Sequence, residues 1–446
     1  MSSLPPLSKA LAAVLVVTGV LFVRLESPFD PVVWQNPTDL PKLEGSLAPN
    51  EALVATEHLH EGVLLAPEAF AEGDDGTLYT GTWDGRVYRM DPDGGNPAVI
   101  FFTGGVVSPG GRAVGSTTGI EYGNRLLQEC HDKAKAKQLT VEDEKKCGRP
   151  LGVKIRAGKL YILDAYHGLF ELDLAEGGRG KHLIDSSTAK PLPLGWSSES
   201  GTVVAAAEAT LPLTFLNDLA FTNDGTIFLS DSSWKFFRAE NRKELVNGEP
   251  NGRLLRFDPS TGDLRTVMCG LHFPNGVELD QSGLNLLVVE SMRFRILEIN
   301  LDRLRHHDRR GLEFCGEREA LPDGVRVFAE ALPGFVDNLV FDEQKRGYVA
   351  AAGAKAAAPF SALHFFLQKP AILRNILGKL VPIRVLEKSV PRYGLVFVLG
   401  LDGSMIQSFH DPTGRTALIS SAHRSSRSGY TFLGSSQNGF LGRVRL

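Results

Sequence analysis

The 446-residue sequence has only four cysteines, Cys130, Cys147, Cys269 and Cys315, and no two of them form a CxxC pair. That excludes the paired-thiolate sites of structural zinc and the thioredoxin-like redox motif. No Asn stands in an acceptor triplet for N-glycosylation, because Asn36 of the one Asn-x-Thr is followed by Pro37, so sugar attachment gives no sign of export. A formal net charge of −4 leaves no basic excess for a nucleic-acid partner. The N-terminal uncharged run from Ala10 to Val23 has 14 residues, short of a full transmembrane helix of ~20. Small residues in an A-x-A cleavage pattern do not follow it; FVRLESPFDP does. The run therefore reads as an uncleaved signal anchor extended by Pro5 to Ser8, with the body in the endoplasmic reticulum lumen or outside the cell.

Glycine and proline are plentiful, 47 and 25, and they fall between short apolar runs, which favours tight turns and an all-β body. One unit recurs six times: an Asp/Gly turn, an apolar strand, a second turn and another strand. DDGTLYTGTWDGRVYRMDPDG, AGKLYILDAYHGLFELDLAEG and RYGLVFVLGLDGSMIQSF are examples. In one strand Leu254, Arg256 and Asp258 alternate with Leu255 and Phe257, the half-buried period of two. Meanders that cannot bury both faces alone pack radially, and six exceed what one sandwich holds, so a six-bladed β-propeller is expected over residues 60–446. Residues 1–30 are expected to form a cytoplasmic tip and anchor helix, and 31–59 a linker. Within the propeller, 353–391 breaks the strand pattern as a basic helical insert divided by Pro370 and Pro382; it suits either capping a propeller face or meeting a membrane surface. Cys130 and Cys147 bracket a Lys-rich polar stretch that a disulfide could close in an exported protein, whereas Cys269 and Cys315 suit free buried thiols better.

Four phrases precede blade strands: APEAF with Glu68, FLNDLAF with Asn217 and Asp218, FPNGVEL with Asn275, and FVDNLVF with Asp337 and Asn338. Equivalent positions of different blades converge on a propeller's central channel, so these oxygen-bearing side chains would meet. Carboxylate and amide oxygens without cysteine suit Ca²⁺ better than Zn²⁺. Asn-Gly and Asn-Asp are also ordinary turn formers, and the argument rests on their repetition in blade register.

CGRPLGVK, LYILDAYHGLFEL, FLNDLAF, FPNGVEL, VDNLVF and VPRYGLVFVL together resemble the strictosidine synthase-like family, from about Glu68 to the C-terminus. The resemblance implies a calcium-dependent six-bladed propeller with arylesterase- or lactonase-like hydrolysis, shared with paraoxonases and gluconolactonases. It implies a central calcium held by Glu68, Asn217, Asn275, Asp337 and Asn338, and a first-blade disulfide between Cys130 and Cys147. His167 falls where paraoxonases place a histidine over the metal, suited to activating a water, although a lone histidine at a strand end also serves as a hydrogen-bonded structural residue. Two departures matter. Ala69 stands where paraoxonases have an acidic ligand for a second calcium, and residues 407–446 contain no Glu, so the amine–aldehyde condensation of true strictosidine synthases is not expected. The expected function is thus a membrane-tethered, calcium-dependent hydrolase of small esters or lactones. The alternative is a non-catalytic propeller that calcium rivets together for binding or scaffolding; metal-free ligand carriage would need Glu68 and Asp337 to lie apart.

Overall fold

The computed structural model describes residues 31, 39–105, 120–175, 179–186, 192–193, 195–196, 203–204, 210–307, 321–357, 362–380 and 391–446. Six four-stranded antiparallel sheets form the blades of a propeller. The innermost strands, in blade order, are Phe70–Glu72, Pro150–Arg156, Leu216–Phe221, Pro274–Leu279, Gly334–Asp342 and Ile419–Arg424. The ring closes on itself: the sixth blade's outermost strand is Glu57–Leu59, paired antiparallel to Leu441–Val444 with His58 opposite Gly442. The linker expected at 31–59 therefore ends inside the propeller, because a blade with an unpaired edge would leave a row of backbone donors and acceptors unmet.

Side-chain alternation assigns each strand face to a different neighbour. Leu255 and Phe257 join Tyr161, Leu163 and Leu169 between the second and third blades. Leu254 joins Val277, Leu286 and Leu297 between the third and fourth. The strand is thus buried on both faces rather than half-buried, since a blade within a ring is covered on both sides. Burying each such Leu, Val or Phe contributes about 1.5–3 kcal/mol.

Chain direction sorts the connections. Each innermost strand runs away from one end of the channel, so the turns between first and second strands, such as 157–158 and 222–226, lie at the far end and are short. The connections between second and third strands, and those between blades, lie at the end where the innermost strands begin. Here are the helices Ile120–Lys135 and Val141–Cys147, the helix Asn241–Asn247, and the helices Ala362–Leu367 and Ala371–Leu380 of the fifth blade. The basic insert begins later than expected, because strand Gly347–Lys355 pairs through Lys355 before the chain leaves the sheet. Residues 358–361 and 381–390 of it, and the apolar run 10–23, lie outside the described residues. Among the described residues no helix is long and apolar enough to cross a membrane.

Cys130 and Cys147 are disulfide-bonded, with Cα atoms 5.8 Å apart. Cys269 is disulfide-bonded as well, not the free thiol expected. Its strand, Asp263–Leu271, is outermost in its blade, where a cross-link can be reached from a neighbouring connection.

A candidate metal centre at the channel mouth

Pairing is interrupted near the start of five innermost strands, and in three of them the irregularity falls on the oxygen-bearing phrases. Leu216 pairs with Asp231 but Leu219 with Leu229, leaving Asn217 and Asp218 as the bulge. Pro274 pairs with Glu290 but Val277 with Val288, leaving Asn275 and Gly276. Val336 pairs with Ala352 but Leu339 with Ala350, leaving Asp337 and Asn338. A bulge frees side chains from the ladder and re-aims them. Neighbouring bulges approach closely; a Cβ built on Gly276 would lie 2.8 Å from the Asn338 Cα, so only glycine fits there. Hydroxyls pin the approach: Ser232 Oγ donates to the Pro274 carbonyl at 2.6 Å, Ser291 Oγ to that of Val336 at 2.5 Å, and Ser420 Oγ to that of Glu68 at 3.0 Å.

Glu68, Asn217, Asn275, Asp337 and Asn338 are all at least nine-tenths buried. Glu68 Oε2 and the Oδ1 atoms of Asn217, Asn275 and Asn338 are buried without a hydrogen-bond partner. Unpaired buried acceptors are costly, about 1–3 kcal/mol each, more when charged. The Glu68 carboxylate is close enough to act on Asp337 by repulsion: burial pushes the Asp337 carboxyl well up, the charge of Glu68 pushes it further, and a hydrogen bond from the Asn275 side chain opposes both. Burial likewise raises Glu68, against the pull of Arg149 and Arg238. Glu68 and Asp337 therefore do not lie apart, as metal-free carriage would require. Among the described residues no three of His, Cys, Asp and Glu form a metal-holding group. The set instead combines two carboxylates with amide oxygens, a hard-donor composition that fits Ca²⁺, and a dication there would relieve both the repulsion and the unpaired acceptors. Asp218, whose Oδ2 accepts from the Val277 N–H at 3.0 Å, lines a small cavity with Asn338, Lys154 and His423.

His167 lies in the turn between the second and third strands of the second blade, at the same end of the channel. The Asp164 carboxylate holds this turn by accepting from the Tyr166 and His167 N–H groups at 2.9 and 3.0 Å. His167 Nε2 is buried without a partner, and burial lowers its pKa while the Asp164 charge opposes the shift. A Cβ on Gly148 would lie 3.0 Å from His167 Cδ2, and the next residue, Arg149, ion-pairs with Glu68 at 3.5 Å, so one step of chain separates the imidazole from the carboxylate set.

Sequence reading missed the cationic wall beside the site. Arg149 is fully buried and donates to the Ala66 carbonyl at 2.9 Å. Arg238 donates to Glu144 Oε1 at 2.8 Å, Tyr166 Oη donates to Glu144 Oε2 at 2.7 Å, and Trp83 Nε1 donates to the same carboxylate. Glu144 thus knots segments of three blades and the disulfide-closed loop over the mouth. Arg149 was within reach of the sequence, in CGRPLGVK two residues before the strand bulge; Glu144 and Arg238 carry no motif. His423 pairs with Glu72 at 3.1 Å toward the far end of the channel.

The strictosidine synthase family pattern matches residues 217–301, and the strictosidine synthase-like N-terminal pattern matches 45–90. Adipocyte plasma membrane-associated protein of Bos taurus is 32% identical over 429 residues, covering 95% of this chain and 86% of its own length. Strictosidine synthase-like 13 of Arabidopsis thaliana is 29% identical over 76% of this chain and 70% of its own. Among solved structures, a gluconolactonase of Xanthomonas campestris covers 94% of this chain and 98% of its own at 14% identity and a TM-score of 0.48, a likeness too loose to speak to activity.

Proposed function

The chain belongs to the strictosidine synthase-like family, and on that footing we propose that it is a membrane-tethered hydrolase of small esters or lactones that takes Ca²⁺ at the channel mouth. The observation that carries this reading is the group of buried side-chain oxygens, unpartnered on Asn217, Asn275 and Asn338 and met on Glu68 only by the 3.5 Å ion pair to Arg149, beside the buried carboxylate of Asp337. These five residues would hold the ion, which supplies Lewis-acid polarisation of a substrate carbonyl. The chain's own groups do the rest. His167, kept neutral by burial, has a free Nε2 to take a proton from an attacking water, and Asp164 fixes the backbone of its turn. Arg149 and Arg238 offset the Glu68 charge, and the Glu144 knot limits water at the mouth. Tethering draws on the apolar run 10–23, on the disulfides, which persist in oxidising compartments, and on the membrane association in the bovine relative's name.

The test is a panel of aryl esters and lactones offered to the full-length protein. Turnover is expected to vanish with chelator and return with Ca²⁺, and His167→Gln should keep calcium binding while lowering turnover ~10²-fold. One observation favours the scaffold reading instead: the proposed donors are only 2–9% exposed. Calcium that binds and raises Tm while the whole panel stays inert would decide for it.

A further inference from the structure

Three of the large apolar side chains most exposed among the described residues cluster on the two helices of the fifth-blade insert: Phe365 at 49%, Ile372 at 73% and Leu373 at 39%. Single exposed apolar residues need no explanation, but three within nine positions do. The helices that carry them are fixed from below. Leu367 is buried in the core with Phe294 and Tyr348, and Arg374 is fully buried with Nη1 donating to the Val246 carbonyl at 2.8 Å. The patch is therefore a rigid surface. Its described neighbours carry positive charge: the Lys369 ammonium lies 3.5 Å over the Phe365 ring, and Lys379 follows on the second helix.

The chain enters the body beside this patch. Leu40 packs against the core cluster that contains Leu367, and the Asp39 charge acts on His364 of the first insert helix. Only residues 24–38 separate that entry point from the end of the apolar run, a reach of at most about 50 Å. The described chain thus enters the body beside the patch, and the insert lies at the same end of the propeller as the candidate metal centre.

We propose that Phe365, Ile372 and Leu373 dock on the surface of an anionic lipid bilayer, seating the propeller with its site-bearing end toward the membrane. Exposed apolar side chains beside Lys369 and Lys379 match an interface where acyl chains lie beneath negative headgroups. This inference rests on the tethering part of the proposed function and not on hydrolysis, and it points to substrates drawn from the bilayer rather than from water.

The test uses the full chain reconstituted into vesicles of phosphatidylcholine and phosphatidylserine, with an environment-sensitive fluorophore on Ile372→Cys. Leu284→Cys and Leu401→Cys carry the same label on exposed turns at the opposite end. Nitroxide-bearing lipid should quench the label at 372 several-fold more than at 284 or 401, and replacing phosphatidylserine by phosphatidylcholine should weaken the difference. Equal quenching at all three positions overturns the proposal. So does a label at 372 that is shielded from aqueous quencher yet unreached by lipid, which would show the patch covered by residues 10–23 or by a second copy. A chain absent from the vesicle fraction defeats the tethering reading and this inference with it, whereas an inert ester panel leaves the quenching result standing.

Discussion

Asp337 is where the metal argument is most exposed to failure. It is the donor whose charge is most strained, pushed up by burial and by Glu68. Asp337→Ala should lower calcium affinity by more than tenfold, read by calorimetric titration, because a charged donor is lost from a set that has two. Unchanged affinity would remove the site. A second residue-scale expectation lies away from the channel mouth. His410 is fully buried between Tyr393 Oη at 2.8 Å and Ser408 Oγ at 2.7 Å, and burial lowers its pKa to about 4. Between pH ~6.5 and ~4 the unfolded chain binds a proton that the folded chain does not, so stability is full above this window and falls as pH drops through it. The loss is at most about 3 kcal/mol. Urea unfolding at pH 7 and 4.5 should show a flatter dependence for His410→Gln than for the wild type. The oxygen donors were legible because each stands in a repeated phrase before an apolar run. Arg238 and Glu144 were not, since their pairing joins positions 94 apart and no local pattern marks either one.

The disulfide-closed loop shows how a surface excursion becomes part of a site. Thr140 caps the helix Val141–Cys147 through a reciprocal hydrogen-bonded pair with Asp143, and that helix delivers Glu144 to the knot over the channel mouth. The Cys130–Cys147 bridge spans 17 positions, so Cys130→Ser should cost about 3 kcal/mol in the chain-entropy account. Loss of the bridge should also loosen Trp83, whose indole is held by Glu144. Intrinsic fluorescence of the variant, compared with its denaturant midpoint, separates the two effects. Two short helices on either side of Pro370, Ala362–Leu367 and Ala371–Leu380, were legible from the stretch's composition and that proline. Which face they present was not, because Leu367 and Arg374 are buried by partners from the fourth and third blades that no helical pattern names.

The six blades were legible because turn residues and strand alternation repeat together, each blade being a local meander. Closure was not, since Glu57–Leu59 is a three-residue strand whose partner lies at the other end of the sequence. A chain beginning at Asp39 should fold, whereas one beginning at Glu61 should expose the edge of Leu441–Val444 and aggregate, as light scattering during refolding would show. The pairing also sets an order of events on the ribosome. His58 is made 384 residues before Gly442, which at ordinary elongation rates is roughly 20–80 s. Through that interval the first strand must wait without its neighbour while five complete blades gather beside it. The codons for Leu441–Val444 therefore latch the ring, and a message cut short before them would yield five blades that cannot shut.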